Sequence, residues 1–410
     1  MSEQKRRDGL TRRGFIKTLG LGGMAATGLA AVSAGEATAA AGKNEGGAAS
    51  VPRRKLGKTG VEVPVLCLGG MFDTLNNQLL LKQSHNWGVT FWDTAESYGG
   101  GMSEEGYGRY IKRNPDARRD LFICSKYKPS PPEKMTEALD AALKRLSTDY
   151  VDLYCPHGVS NLKDIDSRIP AWAAEMKKSG KMRFFGFSCH TNMEECLLAA
   201  AKTNYVDVIL FSYNFRLMHT PGMKEAVAAC ASAGIGLVAM KTQGGGPVKT
   251  DSEAELQMAG RFLQKGLTDK QAKVRAVLEE PNIASICSQM PTLTILSANV
   301  SATRDSGAMA SEEMDLLRRY AAETRQGYCA GCGRICSEAV SGAVPVSEVM
   351  RCLMYYRDYG ERDLAREVFA GIPEDVRARL NDVDYGRAEK ACPHGLAIAK
   401  LMREASEMLA

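Results

Sequence analysis

The chain has 410 residues, of which 44% are hydrophobic, 25% charged and 7% aromatic. This profile belongs to a globular protein with a sizeable core and excludes the disordered and fibrous classes. The formal net charge is +5, about +3 of it from the first 39 residues, so the remainder of the chain is close to neutral and offers no net basic surface for nucleic acid.

The first segment does not read as part of a fold. "TRRGFIK" (11–17), with Arg12 and Arg13 adjacent, precedes the Gly/Ala-rich apolar run "TLGLGGMAATGLAAVSAG" and the small-x-small site Ala37-Thr38-Ala39. This layout resembles a twin-arginine (Tat) signal peptide over 1–39. The resemblance implies passage through the Tat translocase to the periplasm or another exported location, already folded and loaded with cofactor. A membrane span needs roughly 20 strongly apolar residues, and this run is too rich in Gly and Thr, so no stable membrane span is expected. Residues 40–52 read as a linker.

From about residue 61, short apolar runs alternate with amphipathic ones. The strand candidates are 63–70, 89–95, 121–127, 151–158, 182–190, 206–214, 235–243 and 283–290. Between them lie helix-like stretches such as 132–146, where Met135, Leu139, Ala142, Leu143 and Leu146 recur at helical spacing. Continuous apolar strands separated by helices imply a parallel sheet buried on both faces. Eight such units predict an α/β fold, a (β/α)8 TIM barrel over 53–325. A doubly wound sheet would want a Gly-rich phosphate turn after the first strand, and "LGGMFDTL" has no GxGxxG.

The polar residues Asp93, Lys126, His157, Ser188, Tyr213 and Lys241 stand at or just beyond the C-terminal ends of their strands. In a barrel those ends share one mouth, where active sites are built. Four residues there carry a coherent chemistry. A carbonyl that accepts hydride develops negative charge on oxygen and needs a proton. Tyr98 is the candidate general acid/base, and Lys126 lowers the cost of its phenolate. Asp93 orients Lys126 and keeps it charged, and His157 donates a second hydrogen bond to the substrate oxygen.

These residues resemble the aldo-keto reductase family over roughly 53–300. The most specific piece is "GVTFWDTAESYGGGMSEEGYGRYIK" (88–112), and "VDLYCPHG", "MRFFGFS" and "GIGLVAMKTQGGG" are similar to later strands. The resemblance implies reduction of a small carbonyl substrate by NADP or NAD. It implies a nicotinamide site drawn from Gly70, Met71, Ser188, His190, Met240, Lys241 and Asn299. The chain departs from the family pattern at four places: Ser188-Cys189-His190 ends the fifth strand where Ser-Asn is usual, Leu210 stands where a Gln is expected, Met240 and Lys241 stand where an aromatic residue often stacks, and no cation follows the eighth strand before Arg304.

Past about 326 the rhythm changes. "CAGCGRIC" supplies Cys329, Cys332 and Cys336, a charged helical stretch runs over 347–369, and "ACPHG" supplies Cys392 followed by Pro393. A Cys-Pro after closely spaced cysteines is a ferredoxin habit, and four thiolates suit one 4Fe–4S cluster. The alternative is a four-cysteine zinc site. Cys352 sits at helical spacing among Val349, Leu353 and Tyr356, which marks it as a packing residue. Cys67, Cys124, Cys155, Cys189, Cys230 and Cys287 read as core residues. The tail also resembles that of aldo-keto reductases with ferredoxin-type cysteines after the barrel. The expected architecture is therefore a barrel followed by a mostly helical, ferredoxin-like 4Fe–4S segment over 326–410. The expected function is an exported carbonyl reductase with a possible redox partner protein. The competing expectation is a non-catalytic or nicotinamide-independent electron-transfer or structural protein on the same scaffold.

Overall fold

A computed structural model describes residues 50–245, 253–304 and 308–410; the Arg12-Arg13 signal and most of the expected linker lie outside them. Two short antiparallel strands come first, β1 (Arg53–Lys55) and β2 (Glu62–Pro64), with Arg54 opposite Val63. Eight parallel strands come next in the chain: β3 (Leu66–Gly69), β4 (Phe91–Asp93), β5 (Phe122–Tyr127), β6 (Val151–Pro156), β7 (Met182–Cys189), β8 (Val208–Ser212), β9 (Gly236–Met240) and β10 (Ile283–Gln289). They pair in sequence order. Pairing of β10 with β3, Cys287 opposite Cys67, closes the barrel. Each of the eight expected strands holds one of these.

The helices between them are α1 (Gln78–Asn86), α2 (Met102–Arg113), α3 (Pro132–Leu146), α4 (Ile169–Lys178), α5 (Met193–Ala200), α6 (Pro221–Ser232), α7 (Glu253–Gln264), α8 (Asp269–Leu278) and α9 (Leu293–Arg304). In α3 the predicted apolar face is the buried one: Met135, Leu139, Ala142, Leu143 and Leu146 all face the sheet side of the helix layer.

Strand alternation sorts the side chains into two cores. One set, including Cys67, Phe91, Phe122, Cys124, Leu153, Cys155, Val208, Leu210, Val238 and Met240, fills the barrel interior. The alternate residues, Leu66, Leu68, Trp92, Ile123, Tyr154, Phe185, Phe187, Ile209, Phe211, Leu237 and Ala239, join the larger core between sheet and helices. Leu56 and Val63 of the initial hairpin close the interior from below. Arg54 anchors that hairpin by donating to the Leu278, Glu280 and Ile283 carbonyls at 2.7–3.1 Å.

After α10 (Ser311–Glu323) the chain forms six more helices: α11 (Gly333–Ala339), α12 (Val346–Arg357), α13 (Arg362–Ala370), α14 (Glu374–Ala378), α15 (Gly386–Ala391) and α16 (Ile398–Leu409). They enclose a core of their own that includes Val349, Leu353, Phe369, Ile398 and Met402. Cys352 is fully buried within it, as its helical spacing predicts. The expected continuous stretch 347–369 is two helices, α12 and α13, separated where the chain turns at Gly360. Barrel and tail belong to one compact unit, Gly47–Ala410. Among the described residues no helix is long and apolar enough to cross a membrane.

Candidate active site and cysteine site

Strand parity places the candidate catalytic residues. Phe91 points into the barrel, so Asp93, two residues on, does too; Phe122 and Cys124 lead to Lys126, and Leu153 and Cys155 lead to His157. Three neighbouring strands thus raise three polar side chains at one rim. Lys126 is fully buried and its Nζ lies 2.5 Å from Asp93 Oδ1. It also donates to the Thr94 carbonyl at 2.8 Å. Tyr98 follows β4 in a tight turn. Gly99, Gly100 and Gly101, at φ 59°, 62° and 95°, take the left-handed conformation that other residues adopt only at a cost. This turn brings the Tyr98 ring to 5.2 Å from Lys126 Nζ and 5.7 Å from the His157 ring, edge to face. The four predicted catalytic side chains therefore converge.

Their electrostatics refine the expectation. Burial pushes the Tyr98 phenol well above its ordinary value; Lys126 opposes this, and Asp93 adds to it. The lysine acts in the expected direction, but desolvation outweighs it, so Tyr98 is a neutral phenol at ordinary pH with a proton to give. Burial would lower Lys126, yet Asp93 and then Tyr98 hold it well above the usual ammonium range. Burial and the field of Lys126 push His157 down to about 3. His157 is accordingly neutral, with Ser97 Oγ 3.4 Å from its Nδ1.

The nicotinamide-site candidates divide into groups. Ser188 is fully buried, and its Oγ accepts the Gly158 amide at 3.0 Å, so it holds the loop after His157 in place. His190 Nδ1 lies 3.0 Å from Ser212 Oγ, and burial keeps its imidazole neutral. Met240 packs in the barrel interior. Gly70 donates its amide to the Asp93 carbonyl at 2.7 Å, and Met71 accepts from Gln289 Nε2 at 2.7 Å. Asn299 is buried and donates to Ser288 Oγ at 3.0 Å. Lys241 turns to the tail, donating to the Tyr355 hydroxyl at 2.9 Å.

Tyr213 stands at a strand end in the sequence, but Ser212 is the residue that reaches the mouth. Tyr213 packs in the outer core, whereas Ser212, next to it, stands beside His190. The period-2 pattern from Val208 and Leu210 would have found it. Arg351 and Tyr355 were missed for another reason: α12 carries them to the mouth, and nothing local in "MRCLMYYRDYG" marks that destination.

The tail is joined to the mouth at defined points. The Asn192 amide donates to the Gly331 carbonyl at 2.7 Å, and the Arg334 amide donates to Asn192 Oδ1 at 2.9 Å. Gly331, at φ 79°, admits no side chain, since a Cβ there would stand 2.5 Å from the His190 carbonyl oxygen. Asn214 Nδ2 donates to the Tyr328 hydroxyl at 3.0 Å, and Arg216 Nη1 to Thr324 Oγ1 at 2.6 Å. A cavity lies between mouth and tail, lined by His190, Ser212 and Lys241 on one side and Cys329, Arg351 and Met354 on the other.

Cys329, Cys332, Cys336 and Cys392 line a second, small cavity together with Met350 and His394. All four thiols are free. Burial, with the fields of the other three cysteines adding to it, pushes Cys329 up to about 12. Burial also pushes Cys336 up to about 11. Among the described residues no three His, Cys, Asp or Glu side chains converge closely enough to hold one metal ion. The four thiols thus share a space without closing on a single point.

The sequence profile of the aldo/keto reductase family matches residues 71–306. Aldo-keto reductase yakc [NADP(+)] of Schizosaccharomyces pombe is 33% identical over 35% of this chain and 47% of its own length, so the chain matches about half of that relative. L-galactose dehydrogenase of Arabidopsis thaliana is 24% identical over 64% of this chain and 91% of its own length. Among solved structures, a thermostable aldo-keto reductase in complex with the inhibitor epalrestat is 29% identical, with a TM-score of 0.54 over 66% of this chain and 99% of its own. The holo form of aldo-keto reductase AKR11C1 from Bacillus halodurans, 20% identical, shares the fold with a TM-score of 0.56 over 66% of this chain and 96% of its own.

Proposed function

Because the chain belongs to the aldo/keto reductase family, a family of oxidoreductases, we propose that it reduces the carbonyl group of a small aldehyde, ketone or quinone. The observation that carries this reading is the convergence of Asp93, Tyr98, Lys126 and His157 at one rim of the barrel. NADP(H) is the proposed cofactor, in keeping with the NADP(+) in the name of the Schizosaccharomyces pombe relative, with NAD(H) as the alternative. The nicotinamide supplies hydride when bound; Ser188 and His190 are the residues here with side-chain groups suited to its carboxamide. The protein's own part is to handle the proton. Tyr98, neutral, gives its proton to the substrate oxygen as negative charge develops there, and the Lys126 ammonium stabilises the phenolate left behind. Neutral His157 gives the same oxygen a hydrogen bond, and Asp93 holds Lys126 in position.

The four cysteines of the tail are proposed to hold one 4Fe–4S cluster. Their pattern supports this over zinc: Cys329, Cys332 and Cys336 are closely spaced, Cys392 is followed by Pro393, and all four line one cavity. A second reading, a nicotinamide-independent electron-transfer protein, draws support from α12, which lies over the mouth and ties Lys241 to Tyr355.

Anaerobically purified full-length protein is expected to contain iron and acid-labile sulfide, about four of each per chain. It is also expected to oxidise NADPH when benzaldehyde or benzoquinone is supplied. Zinc without iron would overturn the cluster. A nucleotide titration with no binding would sink the nicotinamide reading and leave the second one. Export by the Tat route rests on Arg12 and Arg13. Changing both to Lys in residues 1–45 fused to a reporter is expected to keep the reporter inside the cell, and continued export would count against the signal.

A further inference from the structure

The mouth of the barrel carries a second lysine–tyrosine pair. Lys241 directly follows β9 with a left-handed backbone, φ 57°, a conformation that costs a non-glycine residue free energy and is common at functional sites. Its ammonium donates to the Tyr355 hydroxyl at 2.9 Å and stands 4.2 Å from the centre of that ring. Tyr355 comes from α12, 114 residues further along the chain, and is 7% exposed. Two other cations on the cavity wall have carboxylate partners: Arg351 pairs with Glu348, and Arg357 with Glu404 at 2.7 Å. Lys241 meets a phenol instead. An ammonium so placed polarises the hydroxyl and stabilises the anion left when its proton departs. Lys241 and Arg351 both line the cavity between mouth and tail, so the charge faces that space.

We propose that Lys241 and Tyr355 form a second acid–base pair at the barrel mouth, which exchanges a proton with an anionic oxygen, enolate or alkoxide, of a small organic ligand in the adjoining cavity. The Tyr355 proton passes to that oxygen, the phenolate remains beside the Lys241 ammonium, and solvent water restores the proton.

The surroundings of Tyr355 agree with this role. Burial pushes its phenol up, but Lys241 and Arg351 outweigh burial, and the phenol ends below its ordinary value; Cys352, on the same helix, acts weakly the other way. From the loop after β4, Tyr98 lies within its field, and the Tyr359 ring stands 6.3 Å away. On the helices packed against α12, Arg362 and Arg366 face Tyr356 and Glu404 pairs with Arg357, so these charges are engaged elsewhere. The two phenols of the mouth thus differ in kind: Tyr98 holds its proton, and Tyr355 releases it more readily. Such divergence separates acid and base roles within one site.

This inference deepens the reductase reading, but its test reads the phenol directly and does not depend on turnover. Ultraviolet difference titration of tyrosinate in the cluster-loaded full chain is expected to show one tyrosine ionising ahead of the others. That early step should vanish in Tyr355→Phe, move to higher pH in Lys241→Met, and persist in Tyr98→Phe. A native protein with no early step, or an early step retained in Tyr355→Phe, overturns the proposal. Tyr355→Phe keeps the ring and its packing, and matched circular dichroism confirms that the variants are folded. Benzoate, whose carboxylate stands in for the ligand's anionic oxygen, serves as the binding probe. Isothermal titration should find binding to the native chain and at least tenfold weaker binding in Lys241→Met; no binding to the native chain, or equal affinity in both, overturns the ligand role.

Discussion

Steady-state kinetics of Tyr98→Phe are expected to show kcat/KM for benzaldehyde reduced by about 10²–10⁴-fold, the usual share of a general acid, with nucleotide binding unchanged. The change deletes one oxygen and keeps the ring. The edge contact with His157 and the cation–π contact with Lys126 therefore persist. What disappears is the proton at the substrate oxygen and the phenolate that Lys126 would stabilise. The effect should appear in kcat, because the proton moves only as charge develops in the transition state. A loss below tenfold would show that another group delivers the proton, and Tyr355 is the first alternative to examine.

Lys126→Met is expected to destabilise the folded chain by about 3–5 kcal/mol, because it strands a buried carboxylate. Asp93 is 2% exposed, and its Oδ1 lies 2.5 Å from the Lys126 ammonium. Without that cation, the carboxylate must either stay charged in an apolar interior or take up a proton. The double variant Asp93→Leu/Lys126→Met removes both charges and should recover most of the lost stability, since an apolar pair of similar volume often replaces a buried ion pair without loss. Urea denaturation followed by circular dichroism checks both. Equal midpoints for the single variant and the native chain would mean that the pair contributes nothing to the fold. On the proposed mechanism both variants should be inactive, so the double variant would separate stability from activity.

The barrel strands were legible because a parallel strand buried on both faces leaves a largely apolar run, and Phe122–Tyr127 and Val151–Pro156 are such runs apart from Ser125, Lys126 and Asp152. Asp93, Lys126 and His157 were legible for the same reason. Each ends or just follows an apolar strand, and alternation turns each inward. Tyr98 needed the left-handed Gly99–Gly101 turn, whose glycines are visible in the sequence although their path is not. The choice between Tyr213 and Ser212 required attention to register, because neighbours on a strand face opposite sides.

The sequence by itself determined the eight-unit barrel, the four candidate catalytic residues at its rim and the four-cysteine set, because each leaves a local pattern: a period, a strand end or a short spacing. The tertiary structure alone decided what surrounds them. Contacts such as Gly331 with Asn192 and Lys241 with Tyr355 join residues more than a hundred positions apart, and no local pattern encodes a meeting at that separation. The proton affinities depended on it as well. Lysine beside tyrosine predicts a readily ionised phenol, and that expectation describes Tyr355, whereas burial reverses it for Tyr98. The sign of such a shift is a contest between desolvation and a neighbouring charge, and both are set by depth and distance in the folded chain.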